Sequence, residues 1–411
     1  MFISKSKEMM TKSFEKTRYT FQKIPKMNFD KDYGIYMHVP FCYSKCTFCP
    51  FYKELFNEKL KNAYLEAIKQ EIQQTPIKGE ARWLYIGGGT PNTLTINELQ
   101  RIITVLNKKT NIKTKGIELL PSLLTEEYLE GLKKISFTKI SIGIETFSER
   151  VKRITARKST TYQQIKKIVS HAKSLGLHVA VDLMVGLPEQ SEKVFLDDIQ
   201  KIGIIKPDQI TIYPYMVIRG VSAKTSYTTK EQFQLIEKAA EKLINAGYNR
   251  KSVWIFVLPE TQKEAIYDSS QDELIKDYCG FGPASFSTYG NWKVVKPELS
   301  VWLEDIRNGN YRAFVTEKDK QTDNWRRFAN KIYDLKVKDD RNFPLGIRFF
   351  DFLLRLFGYY RHGYLTDKGR YFSHIITKGV VEALPFPIQN SKVVTNYEDY
   401  LQIKKAIRKK D

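Results

Sequence analysis

Apolar positions along the chain alternate between two periods. Tyr33–Val39 reads as a strand, and Pro40 ends it because proline has no N–H to give a ladder. From Phe56 to Thr75 the spacing becomes helical. Leu60, Tyr64, Ala67, Ile68 and Ile72 share one face, and Pro76 stops the run. Arg82–Ile86 is again a short apolar strand. The rhythm then repeats, with helices predicted over 96–106 and 125–134 and strands over 116–120 and 139–144. Thr160 is expected to cap a helix whose inner face carries Ile165, Ile168, Val169, Ala172 and Leu175 and which Gly176 closes. A strand at 178–184, a helix at 191–204 and a strand at 209–213 complete the series, followed by a helix over 230–245 and a strand over 252–258. Such alternation predicts the α/β class: a parallel sheet with helices outside, curled by right-handed crossovers into a partial (β/α)6, TIM-like barrel.

The character changes after about residue 297. Phe349–Tyr360 is rich in Phe, Leu and Tyr, interrupted by Asp351 and Arg355, and a second helix is expected to run on to Leu384. These aromatics suit the core of a small helical domain, or an apolar lid over a flat, greasy substrate. The expected division is a basic extension over 1–33, a barrel over 34–215, a barrel-closing segment over 216–296 and a mostly helical C-terminal domain over 297–411.

No apolar run is long enough to span a bilayer, and Met1–Lys7 lacks the pattern of a signal peptide. Four cysteines, three of them clustered, argue against a disulfide framework, so a reducing cytoplasm is expected. The net charge of +21 would attract carboxylated small molecules, nucleic acid or a membrane surface. No basic–aromatic module for RNA is evident, so nucleic acid is the partner least expected.

The candidate chemistry is concentrated in Cys42, Cys46 and Cys49, spaced Cys-x3-Cys-x2-Cys just after the first strand. Structural zinc normally takes four ligands, often from two separated pairs. Three thiolates on a four-iron cluster would instead leave one iron open to a small ligand. Gly87-Gly88-Gly89-Thr90-Pro91 follows the second strand, where a glycine run admits close approach and offers N–H donors. Glu118, Glu145 and Asp182 fall at strand positions that would face a barrel mouth, or would be buried carboxylates paired with nearby cations. Cys279 reads as a buried thiol. His38, His171, His178, His362 and His374 form no cluster; His362 or His374 could ligate heme iron, but each reads as an ordinary histidine.

The cysteine triplet and its flank Tyr36-Met37-His38-Val39-Pro40-Phe41 resemble the radical S-adenosylmethionine (SAM) enzymes. Within them they resemble the group of oxygen-independent coproporphyrinogen III oxidase, heme chaperones and anaerobic heme-degrading enzymes. The resemblance runs from residue 34 to about 290. It implies a radical SAM barrel in which Cys42, Cys46 and Cys49 hold a [4Fe–4S] cluster that chelates SAM at its open iron. One-electron cleavage then gives a 5′-deoxyadenosyl radical that takes hydrogen from substrate. By the same resemblance Gly88, Gly89 and Thr90 hold the amino-acid end of SAM. Tyr36 and Phe48 line the sulfonium and adenine, Glu118, Arg157 and Asp182 contact SAM, and Phe286 belongs to a segment closing over it.

Glu145 stands where relatives usually have glutamine and is the candidate catalytic residue, facing a second SAM or the substrate. A carboxylate cannot donate a hydrogen bond unless protonated, so a ligand of different polarity is expected there. Phe51 stands where the oxidases carry a further cysteine, which argues against that reaction. The implied substrate is a tetrapyrrole or another acidic small molecule, and the implied electron donor a flavodoxin- or ferredoxin-type protein. The alternatives are a heme chaperone and a two-SAM methyltransferase or cyclopropanase acting on another substrate.

Overall fold

The computed structural model describes residues 2–217, 225–261, 277–335, 342–383, 387–388 and 391–409. Leu384, the expected end of the last long helix, lies outside the described residues. Six parallel strands form the centre in chain order: β1 (Phe29–Val39), β2 (Ile77–Gly88), β3 (Asn111–Leu119), β4 (Lys139–Glu145), β5 (His178–Val185) and β6 (Gln209–Pro214). Between and after them run α1 (Glu58–Gln74), α2 (Ile96–Asn107), α3 (Glu126–Lys134), α4 (Tyr162–Ser174), α5 (Glu192–Ile205) and α6 (Thr229–Asn245).

The strand register separates two chemistries. Tyr36 is opposite Tyr85, Tyr85 opposite Gly116, Glu118 opposite Ser141, Gly143 opposite Asp182 and Asp182 opposite Thr211. Residues opposite in register share a face, and so do every second residues along a strand. One face therefore carries Tyr36, Tyr85, Glu118, Ser141, Asp182 and Thr211. The other carries Ile35, Met37, Ile86, Ile117, Ile142, Val181 and Ile212, which form one buried core with helix residues such as Ile68, Ile102, Val169 and Ile199. Each such side chain contributes about 1.5–3 kcal/mol by leaving water, so the apolar face draws the helices to one side and leaves the polar face for the cleft.

Several predicted elements differ in detail. The cap of α4 is Thr161, not Thr160. Its side chain accepts from the Gln164 N–H while Gln164 reaches back, and a reciprocal pair favours this start over one residue earlier. Leu60, counted on the inner face of α1, is exposed in the first turn. The strand predicted over 252–258 is confined to Ile255–Val257, antiparallel to β6.

The sheet also extends beyond the barrel strands, to 13 among the described residues. Tyr278–Phe281 pairs parallel to β1, and Phe286–Tyr289, Trp292–Val295, Arg312–Glu317 and Thr20–Lys23 follow antiparallel. The segment beyond residue 297 is thus mostly helical but gives a strand to the common sheet. Phe2–Glu15 is a helix packed on Asp367–Glu382 and Lys320–Tyr333.

Candidate active site

The cysteine loop leaves the end of β1 through the short strand Phe41–Cys42. It is fastened to the loop after the helix Glu149–Ile154: the Thr47 N–H donates to Thr155 O (3.1 Å), and Ser44 Oγ donates to Ala156 O (3.2 Å). Cys42 Sγ lies 3.3 Å from Thr90 Oγ1, and Cys46 Sγ lies 3.7 Å from Ala156 O and 3.9 Å from Arg157 Nη1. Burial pushes the Cys42 thiol up. It does the same to Cys46, with Arg157 pulling the other way. Phe48 is buried with Val151, Leu187 and Tyr215 in a small cluster flanked by Cys46, Cys49 and Met184. Among the described residues no three His, Cys, Asp or Glu side chains are gathered closely enough for a single metal ion. A cluster is larger than one ion and does not need thiols that close.

The glycine run has a structural reason of its own. Gly88 has φ +117°, and a Cβ there would meet the His38 ring at 2.8 Å; one at Gly89 would meet Phe41 O at 2.8 Å. The run lets β2 press against the end of β1. Two of its N–H groups are engaged within the protein: Gly88 donates to Glu118 Oε2 (3.1 Å), on the cleft face, and Gly89 to Val39 O (2.7 Å). Burial raises the Glu118 carboxyl to about 7, against the pull of the Gly88 N–H and with a small push from Glu145. By surface Glu118 is half-buried, and the protein atoms crowded around its carboxyl are the main cause of the shift.

Glu145 ends β4 at a register irregularity and has φ +67°, a backbone region unfavourable for a side chain of this kind. The turn brings its Oε1 to 3.5 Å from Arg157 Nη2, which also donates to Gly143 O. Burial raises the Glu145 carboxyl, against Arg157. Burial disfavours the Arg157 charge too, but Glu145 and the Cys46 sulfur outweigh it and hold the guanidinium above its ordinary value. Arg157 Nε is buried with no hydrogen-bond partner. A cation that is enclosed, and still has a donor to spare, suits an anionic ligand.

Sequence reasoning passed over a relay behind the glycine run. His38 Nε2 lies 3.0 Å from Tyr52 O, so it carries the proton and donates; Nδ1 then accepts from Tyr36 Oη at 3.0 Å. Burial lowers His38 to about 4, which keeps it neutral and fixes the Tyr36 hydroxyl. It also passed over a row of polar residues deeper on the cleft face, where Lys139 Nζ donates to Gln209 Oε1 (3.4 Å) and Gln209 Nε2 to Thr211 Oγ1 (3.3 Å). The signal was present in Gln209-Ile210-Thr211-Ile212, where polar residues alternate with isoleucine.

The structure thus gathers Tyr36, Cys42, Cys46, Cys49, Phe48, Gly88, Gly89, Thr90, Glu118, Glu145 and Arg157 toward the carboxyl ends of the parallel strands, and Asp182 lies on the same sheet face, opposite Gly143 and Thr211. Phe286 is not among them. It packs against a separate cluster with Tyr19, Phe21 and Val295, because its strand runs antiparallel away from β1. Cys279 pairs beside Ile35, and burial pushes its thiol up to about 12. His374 is buried and accepts from Trp254 Nε1 at 3.0 Å.

Residues 36–202 match the model of the radical SAM superfamily, the stretch from Tyr36 through the cysteines to α5. The chain carries a radical SAM domain. The cofactors are accordingly a [4Fe–4S] cluster and SAM, and three clustered thiols beside an under-bonded arginine fit that pair. Among curated relatives, the chain is 24% identical to the oxygen-independent coproporphyrinogen III oxidase of Salmonella typhimurium. That match covers 64% of this chain and 62% of the relative, so the chain spans about three fifths of the length of that relative. It is 26% identical to heme chaperone HemW of Lactococcus lactis, over 61% and 68% of the two chains. It is 31% identical to anaerobilin synthase of Escherichia coli O157:H7, over 45% and 43%. The solved structure of coproporphyrinogen III oxidase from Escherichia coli superposes with a TM-score of 0.71 at 20% identity, covering 90% of this chain and 93% of that one, and establishes the fold.

Proposed function

We propose that the protein is an enzyme that cleaves SAM reductively and acts on a tetrapyrrole, by anaerobic heme breakdown through radical methyl transfer or a related porphyrin reaction. The observation that carries this reading is the Glu145–Arg157–Cys46 arrangement, a charged and incompletely hydrogen-bonded corner beside the cysteine loop. In this proposal Cys42, Cys46 and Cys49 hold the cluster, which with SAM supplies a one-electron cleavage that generates a carbon radical. Arg157 binds the SAM carboxylate, and its buried position strengthens that contact. Glu118 and Asp182 receive the ribose hydroxyls. Tyr36, its hydroxyl fixed by neutral His38, and Phe48 shape the walls and exclude water from the sulfonium and adenine. Glu145 faces the second ligand, and its raised carboxyl accepts or donates according to its protonation.

Two similar proteins, by their names, concern a porphyrinogen or heme, which supports a tetrapyrrole. Phe51, in place of the oxidase cysteine, is 55% exposed and offers no sulfur. A second reading, heme binding and delivery without turnover, is favoured by the likeness to HemW over 68% of that chaperone. Anaerobic incubation of reconstituted, reduced protein with SAM, with and without heme, separates the readings by mass spectrometry. The expected result is heme-dependent 5′-deoxyadenosine with a methylated or opened tetrapyrrole. Bound but unaltered heme favours delivery. SAM cleavage indifferent to heme defeats the tetrapyrrole assignment and favours a two-SAM reaction on another substrate.

A further inference from the structure

The helix Leu345–Leu356 in the C-terminal region has two apolar faces. Ile347, Phe350 and Leu354 enter the core, with the Phe350 ring 5.7 Å from Trp325 and 5.6 Å from Phe328. The opposite stripe is Leu345, Phe349, Phe352 and Leu356, which are 79%, 63%, 55% and 66% exposed. Their spacing of four, three and four residues sets them in one line along the helix. Phe357, just past the end of the helix, and Tyr364 are also exposed. A contiguous patch of large apolar side chains in water marks a surface that meets something.

The charges beside the stripe identify what it meets. Arg348, on the helix, and Arg361 and Lys368, beyond it, are exposed. The only acid in the helix, Asp351, is drawn inward by Lys331 and Arg355, at 3.3 Å from each. Exposed Asp367 is held by Arg370 at 2.5 Å. We propose that this face rests on an anionic lipid surface, with the Leu and Phe side chains at the acyl boundary and Arg348, Arg361 and Lys368 among the headgroups. A second copy would bring the same cations together, and an apolar groove on a protein would leave them unused. The net charge of +21 favours the same occupant. No helix among the described residues is long and apolar enough to cross a membrane, so the contact is along the surface.

The test is co-flotation of the full chain with phosphatidylcholine vesicles, with and without phosphatidylglycerol. Flotation with the anionic vesicles is expected, weakened about ten-fold without the anionic lipid. The double variant Phe349→Ser/Phe352→Ser keeps every charge and should bind about ten-fold more weakly, with an unchanged circular-dichroism melt. Equal binding by wild type and variant would mean that bulk charge alone attracts lipid, and would overturn the proposal. So would absence of flotation, the outcome expected of a protein partner. Self-association abolished by the same variant would assign the face to a second copy.

Discussion

Glu71 and Glu118 are both enclosed carboxylates, and the molecule treats them in opposite ways. Glu71, on α1, is saturated. Its Oε1 takes Lys296 Nζ at 2.5 Å and Trp302 Nε1 at 3.0 Å, and its Oε2 takes the Gly282 N–H at 2.8 Å. Lys296 in turn donates to Gly280 O at 2.6 Å. This cluster fastens α1 and the helix Leu299–Asn308 to the strand beside β1, and both carboxylate oxygens of Glu71 are engaged. Among the described residues Glu118 accepts one hydrogen bond, from the Gly88 N–H. Nearby, Arg157 has an unused Nε and Glu145 a strained backbone. A fold closes the polar clusters that serve stability and leaves unfinished those meant for a ligand, because an unmade hydrogen bond in a dry site is available to whatever enters.

The comparison can be tested from its largest effect downward. Cys46→Ala should abolish the iron–sulfur absorbance after anaerobic reconstitution and leave the melting curve of the apo-protein nearly unchanged. A normal cluster spectrum in that variant would remove Cys46 from the site. Glu71→Leu leaves Lys296 buried without its carboxylate and should cost about 3–5 kcal/mol in urea unfolding, while Glu71→Leu/Lys296→Met recovers most of it. A loss below about 1 kcal/mol would show that the cluster is no fastening.

Glu118 gives a pH signature. Its folded value, about 7, lies above the ordinary 4.5, so the fold favours the protonated form. That contribution is complete below pH 4.5 and is lost as pH rises through 7. Allowing for its partial contact with water, about 2–3 kcal/mol should separate apo wild type from Glu118→Gln between about pH 5 and about pH 8, to the advantage of the variant at the higher pH. Parallel stability curves for the two proteins would mean that Glu118 is ionised in the fold. The smallest effect expected is on binding. Asp182→Ala should weaken SAM about ten-fold, roughly 1.4 kcal/mol by calorimetry, without loss of the cluster. Unchanged affinity would take Asp182 out of the proposed site.

Much of this was legible in the residues. Tyr33–Val39, Lys139–Ile144 and His178–Met184 were readable as strands because their apolar positions are set by local pairing and burial, and the observed elements run only a few residues further. Arg312–Glu317 and Thr20–Lys23 were not, since these short strands at the end of the sheet gain part of their identity from each other, nearly three hundred residues apart. Phe286 lay in a recognisable segment, yet the direction of its strand, invisible in the local pattern, carries it to another cluster. Phe349–Tyr360 was readable as an amphipathic helix. Which apolar face would be covered depended on Trp325, Phe328 and Phe372 arriving on one side only.

The sequence by itself determined the alternation of strands and helices, the three thiols in one loop, and the order in which Glu118, Glu145 and Asp182 come at strand positions. Those are properties of near neighbours and of side-chain chemistry. Only the tertiary structure decided that Arg157 reaches across to Cys46 and Glu145, that the glycine N–H groups are used by Glu118 and Val39, and that Glu71 finds Lys296. These contacts join residues far apart in the chain. Their energies depend on the low dielectric and fixed geometry that exist only once the sheet has closed around them.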